Sequence, residues 1–138
     1  MQIVVTDRVG IESGLRLDGA YIVISIHDPD QRPARIQRDG GLREILELSF
    51  HDAEASWKDN IAPMTAAQAN QICDFVRRYE AQVGTIVVQC EQGMSRSPAV
   101  AAAISQALGL DSRRFFQLYT PSQHVYHLVM DAFERKGA

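Results

Sequence analysis

One strand–loop–helix segment constrains the fold of this chain more than any other. Thr85–Gln89 is an apolar, β-branched run of the kind that forms a strand covered on both faces of a sheet. After a short loop, Ser97–Leu108 is typical of a helix, because Pro98 suits a first helical turn and Gly109 suits a terminator. A buried strand that leads through a short loop into a helix predicts an α/β protein.

Further elements of both kinds flank this segment. Ala20–Ile26 and Arg43–Phe50 are predicted strands, although helix and strand interpretations compete for the second. Predicted helices cover Met64–Tyr79, Ser112–Tyr119 and Pro121–Lys136. Strands that alternate with helices predict a compact three-layer sandwich, in which helices flank a central, mainly parallel sheet.

Length, composition and charge narrow the class of protein. Of the 138 residues, 46% are apolar and 22% are charged, so we expect one folded domain over residues 1–138. The net charge of −3, without a basic tail, argues against nucleic acid or an anionic membrane surface as a partner. The chain start lacks a signal-peptide pattern, and the apolar run Ala99–Ile104 is far shorter than the roughly 20 residues of a membrane span. We therefore expect a cytoplasmic protein.

Cys73 and Cys90 form no C-x-x-C pair, so we expect no metal, and Cys73 is predicted to be a packed thiol.

The loop between that strand and helix carries a nucleophile and a cation. Cys90 follows the strand directly, and Arg96 stands at the start of the helix. Backbone N–H groups in such a loop, together with the positive end of the helix dipole, form a cradle for an anion. The arginine fork holds two oxygens of a tetrahedral oxyanion, and a thiol in this field is expected to be a thiolate nucleophile. The combination predicts phosphoryl transfer through a cysteinyl-phosphate. The predicted phosphate-binding residues are Glu91, Gln92, Gly93, Met94, Ser95 and Arg96.

The segment Cys90-x5-Arg96, with Gly93 inside it and Ser97 after it, resembles the signature loop of the cysteine-dependent protein tyrosine phosphatases. The likeness is to the small dual-specificity-phosphatase-like group, and it extends over about residues 20–135. It implies a phosphomonoester hydrolase with the protein tyrosine phosphatase-like fold and no metal or organic cofactor. The implied substrate is a phosphorylated protein or a small aryl phosphate. Ser97 matches the hydroxyl residue that assists the thiolate as leaving group when the intermediate breaks down.

The resemblance also implies an aspartic acid on a loop after an earlier strand, because the leaving oxygen needs a proton. Positioned acids of this kind accelerate reactions by roughly 10²–10⁴-fold. Asp52 follows the predicted strand Arg43–Phe50 and precedes Cys90 by 38 positions. Asp59 precedes it by 31, which is nearer the usual spacing in the family. We prefer Asp52, because the end of a strand places a side chain beside the signature loop.

Gln89 occupies the position at which the family usually has histidine, directly before the nucleophile. Glutamine still forms hydrogen bonds, so we expect weaker tuning of the thiolate rather than loss of the site. Two other functions remain open: a catalytically inactive relative that binds phosphate, and a rhodanese-like sulfurtransferase. The loop contains no lysine, which disfavours highly charged phosphoinositides as substrates.

Several other residues have two interpretations. His51 either shapes the acid loop or faces solvent, and Trp57 either borders the substrate pocket or covers the core. His124 and His127 are three positions apart on one predicted helix, and without acidic partners at a metal-ligand spacing we expect ordinary helix residues. The polar segment 28–41 is either functional or a solvated connection.

Overall fold

The computed structural model describes residues 1–137, which form four strands and five helices. In chain order these are β1 (Gln2–Thr6), α1 (Arg8–Glu12), β2 (Tyr21–His27), β3 (Leu42–Ser49), α2 (Ala66–Tyr79), β4 (Thr85–Gln89), α3 (Arg96–Ala107), α4 (Arg113–Leu118) and α5 (Gln123–Gly137). Every predicted strand and helix is present, with ends within two residues of the predicted ones, whereas β1 and α1 were not predicted. None of the helices in residues 1–137 is long and apolar enough to cross a membrane.

The four strands form one sheet in the order β1-β4-β2-β3, and every neighbouring pair is parallel. β4 lies inside the sheet, with Val87 opposite Val4 on one side and Val23 on the other. Because all strands run the same way, their carboxyl ends meet at one edge of the sheet. The predicted site residues Asp52 and Cys90 follow two of these ends. The prediction of a central parallel sheet flanked by helices is confirmed.

The two faces of the sheet are covered unequally. On one face, α2, α3 and α5 pack over a continuous apolar cluster that includes Ile22 and Ile86. On the other face, Val23 and Val87 belong to a smaller cluster, which α1 and the segment 28–41 cover. The second outer layer of the predicted sandwich is therefore one short helix and a loop. The segment 28–41 contributes to the core and is more than a solvated connection.

Helix α3 lies at the centre of the thicker layer, and its residues from Arg96 to Ser105 are all buried. Its middle is made of small side chains, from Ala99 to Ala103, so neighbouring elements pack closely around it. Because α3 contacts β1, β4, α4 and α5, its N-terminus is held rigidly against the end of β4. Arg96 and Ser97 are thereby fixed beside Cys90.

Candidate active site

Cys90 follows β4 at the carboxyl edge of the sheet, and its side chain is almost fully enclosed, with 2% of the residue exposed. The Sγ atom is 3.1 Å from Ser97 Oγ and accepts a hydrogen bond of 3.2 Å from the Gly93 N–H. A hydroxyl and an N–H within reach of one sulfur stabilise negative charge on it. The structure therefore brings the predicted nucleophile together with Gly93 and Ser97, as the signature loop implies.

Gly93 is the residue at which this loop needs glycine. Its φ is +68°, in the left-handed region that side chains disfavour. A Cβ at this position would lie 3.2 Å from both Asp7 N and Thr6 C, so the loop packs directly on the junction between β1 and α1. The backbone conformation and the close approach together aim the Gly93 N–H at Cys90.

Arg96 is buried, and its Nη1 donates hydrogen bonds of 2.7 Å to Asp28 Oδ1 and 2.7 Å to the Phe50 carbonyl. Both partners follow strand ends, of β2 and β3 respectively. The Nε and Nη2 edge of the guanidinium makes no hydrogen bond to any of residues 1–137. That edge is the fork that grips two oxygens of a phosphate. The arginine is therefore held by one nitrogen while its fork is available to an anion.

Asp28 is a site residue that the sequence analysis did not single out. It belongs to the polar segment 28–41 and follows the end of β2, as Asp52 follows the end of β3. In the structure it forms an ion pair with Arg96 and lines the same cavity as Cys90. Asp28 could have been predicted from its position after a strand, because the same kind of position indicated Asp52.

Asp52 accepts a hydrogen bond of 3.0 Å from Ser95 Oγ, which ties the acid candidate to the signature loop. It lines a cavity of about 340 Å³ whose wall also includes Cys90 and Arg96. Asp59 is not among the residues that line this cavity. Of the two carboxylates considered for the acid, Asp52 is thus the one that the fold brings to the nucleophile.

His51 joins the two ends of the loop that follows β3. Its backbone N–H donates to the Ala62 carbonyl at 2.7 Å, and its Nδ1 accepts from the Ala62 N–H at 2.9 Å. The side chain therefore shapes the acid loop, the first of its two interpretations. Trp57 lies on the same loop, lines the cavity and is 66% exposed, so it borders the pocket and does not cover the core.

Gln89 is fully buried beneath the signature loop. Its Nε2 donates a hydrogen bond of 3.0 Å to the Cys90 carbonyl, and its Oε1 accepts from Ser25 Oγ. Glutamine thus orders the base of the loop from the position where the family usually has histidine. It makes this contact through the backbone of Cys90, so its effect on the sulfur is indirect.

The remaining candidate ligands do not form a metal site within the described chain. No group of three or more His, Cys, Asp or Glu side chains in residues 1–137 lies close enough to hold a metal ion. His124 contacts the Met64 carbonyl through Nε2 at 2.9 Å. Cys73 is completely buried in α2, in agreement with a packed thiol.

The family profile described as protein-tyrosine phosphatase matches residues 32–126, which is more than half of the chain. With the signature loop at the end of β4, this match shows that the chain belongs to the protein-tyrosine phosphatase family. A comparison with curated proteins gives no significant match.

Solved structures share the fold at low sequence identity. The human tyrosine phosphatase-like serine/threonine/tyrosine-interacting protein is 18% identical with a TM-score of 0.59, over 87% of this chain and 80% of that one. Human DUSP28 is 15% identical with a TM-score of 0.58, over 98% of this chain and 93% of that one. PTPMT1, solved in complex with PI(5)P, is 14% identical with a TM-score of 0.60, over 99% of this chain and 95% of that one. At these identities the likenesses show a shared fold.

Replacing Gly93 with alanine is expected to destabilise the fold more than replacing Gly109. Both glycines have positive φ, so both variants lose about 1 kcal/mol through backbone strain. Only at Gly93 does the new Cβ also meet backbone atoms, whereas at Gly109 nothing lies within 4 Å. Urea denaturation of the two variants measures the difference. Equal losses of unfolding free energy would contradict close packing of the loop on the β1–α1 junction.

Two substitutions at Asp28 are expected to affect phosphate binding differently. Asp28→Ala removes the negative charge and also the acceptor that holds Arg96 Nη1, and the loss of positioning should weaken binding of inorganic phosphate by about tenfold. Asp28→Asn keeps an acceptor oxygen and removes negative charge from the cavity, so binding should be equal or tighter. Titration calorimetry measures both, with Asp18→Ala, an exposed aspartate, as the control. If both Asp28 variants bind phosphate more tightly than the wild type, Asp28 does not position Arg96.

Proposed function

We propose that this protein is a phosphomonoester hydrolase of the protein tyrosine or dual-specificity type that acts through a cysteinyl-phosphate. The observation that carries the proposal is the environment of Cys90 Sγ, which has Ser97 Oγ at 3.1 Å and the Gly93 N–H at 3.2 Å at the base of the cavity. Arg96 and Asp52 line the same cavity. Nucleophile, phosphate-binding cation and acid candidate therefore converge on a single volume.

In the first step the thiolate of Cys90 attacks phosphorus, a P–S bond forms, and the bond to the leaving oxygen breaks. Asp52 gives its proton to that oxygen, which departs as an alcohol or phenol. The equatorial oxygens of the phosphoryl group accept hydrogen bonds from the backbone N–H groups of the loop and from the free fork of Arg96. Fixed donors of this kind stabilise the transition state without reorganisation.

In the second step a water molecule attacks the phosphorus of the cysteinyl-phosphate. The ionised Asp52 takes a proton from this water, the P–S bond breaks, and inorganic phosphate is released. The leaving thiolate is stabilised by the Ser97 hydroxyl and the Gly93 N–H. The enzyme returns to its starting state, with Asp52 protonated and Cys90 ionised.

The walls of the cavity favour a substrate with one phosphate on an apolar or aromatic group. Trp57, Ile61 and Met94 supply apolar surface, and among the described lining residues Arg96 is the only lysine or arginine. A headgroup with several phosphates would need further cations there. The proposed substrate is therefore a phosphorylated protein or a small aryl phosphate, with dual specificity expected from the family.

Hydrolysis of para-nitrophenyl phosphate tests this assignment, in EDTA and from about pH 4.5 to 8. Cys90→Ser should be inactive, because it lacks the thiolate. Asp52→Asn should lose about 100-fold in kcat, together with the fall in rate at alkaline pH that marks an acid acting in its protonated form. Asp59→Asn is the matched control and should behave as the wild type.

Other outcomes assign the site differently. If Asp59→Asn loses the alkaline limb and Asp52→Asn keeps it, the acid is Asp59. A wild-type protein that binds vanadate but hydrolyses no ester is a phosphate-binding relative and not an enzyme. Turnover of thiosulfate in place of phosphate esters would identify a sulfurtransferase.

A further inference from the structure

The first residue after the nucleophile is acidic. Glu91 lies in the signature loop and lines the cavity, where its carboxylate would repel a phosphate dianion. The backbone of Glu91 is needed for the loop, but a negative side chain at this position opposes the function proposed for it. A compensating charge is therefore required if the loop is to bind an anion.

Arg8 supplies that charge from the start of α1. Its Nε donates to Glu91 Oε2 at 2.8 Å and its Nη2 donates to Glu91 Oε1 at 2.6 Å, so the pairing is bidentate. The Arg8 N–H also donates to the Glu91 carbonyl at 3.2 Å. Both side chains are largely enclosed, with 17% and 18% exposed, which reduces screening by solvent.

Arg8 is itself fixed by its surroundings. Nη1 donates to Glu12 Oε2 at 3.1 Å, one helical turn further along α1, and Nη2 also donates to the Arg32 carbonyl. Asp7 caps α1 by accepting from the Gly10 N–H at 2.7 Å. The guanidinium is thus held in place before any anion arrives, and its contacts join α1 to the segment 28–41.

The electrostatics of Glu91 agree with this geometry. Hydrogen bonds from the Arg8 guanidinium hold the pKa of the Glu91 carboxyl below its usual range, against the opposing effect of burial, and the charge of Arg96 acts in the same direction. Glu91 is therefore ionised at neutral pH and lies within electrostatic reach of the arginine that is proposed to bind phosphate.

We propose that Arg8 is a positioning residue for the phosphate-binding loop: it neutralises Glu91 and holds the carboxylate against α1, away from the bound phosphate. The loop N–H groups and Arg96 then meet the anion without an opposing charge. The inference rests on the proposed function in one respect, namely that the anion in the cavity is phosphate. It extends the site to α1.

The test measures the dissociation constant of inorganic phosphate by calorimetry, which needs no turnover, and KM and kcat for para-nitrophenyl phosphate. In Arg8→Met the unpaired carboxylate should weaken phosphate binding and raise KM by about tenfold. In Glu91→Gln the cavity loses a negative charge while Arg8 keeps its pairing with Glu12, so phosphate binding should tighten by about threefold. The double variant, in which the pair is again neutral, should return to within about threefold of the wild type. Arg113→Met, which breaks the exposed pair with Asp111, is the matched control and should not change phosphate binding.

A merely structural role predicts a different pattern. If both single variants bind phosphate more weakly and the double variant is no better than Arg8→Met, the pair supports the fold only and the proposal is wrong. Glu91→Gln keeps the test valid if Arg8→Met does not fold, since weaker binding by Glu91→Gln alone contradicts the proposal. A wild-type protein that binds phosphate without turnover refutes the proposed hydrolase and leaves this comparison intact. A wild-type protein that does not bind phosphate overturns both.

Discussion

The parallel pairing of all four strands is the constraint on which the site depends. Because the carboxyl ends lie at one edge, the residue that follows each strand is delivered to the same place. Arg8 comes after β1, Asp28 after β2, Asp52 after β3 and Cys90 after β4. Residues separated by up to 83 positions in the chain thus become neighbours, as in the pairing of Arg8 with Glu91.

Charge at this edge is balanced in pairs. Two carboxylates that would repel a phosphate, Asp28 and Glu91, are each bound to an arginine, Arg96 and Arg8 respectively. Asp52 is bound to the neutral hydroxyl of Ser95, so its carboxyl is the one left for proton transfer in the proposed mechanism. The attraction for an anion then comes mainly from backbone N–H groups and from the free fork of Arg96.

The sequence was sufficient for seven of the nine elements and for the contiguous loop from Cys90 to Ser97. β-branched runs predicted β2 and β4, and Pro98 and Gly109 predicted the ends of α3. Asp52 was preferred to Asp59 as the acid because a strand end has a defined place in a parallel sheet, and that role stays a prediction. Each of these inferences uses a local pattern, either within one element or at its end.

What was missed depends on contacts between distant segments. β1 (Gln2–Thr6) contains the short apolar run Ile3–Val5, and its pairing with β4 could not be predicted from that run. Asp28 and Arg8 acquire their roles only through Arg96 and Glu91, which are 68 and 83 positions away. No spacing rule connects such pairs, because their proximity is a consequence of strand order.

The central claim is that Cys90 carries the phosphoryl group during turnover, and trapping that species tests it most directly. Ser97→Ala should slow breakdown of the intermediate, since the departing thiolate loses its hydroxyl partner at 3.1 Å. We predict that acid quenching of this variant during turnover of para-nitrophenyl phosphate yields protein heavier by one phosphoryl group. Peptide mapping should locate that group on Cys90. Continued turnover with no phosphorylated Cys90, or with the phosphoryl group on another residue, would contradict the account.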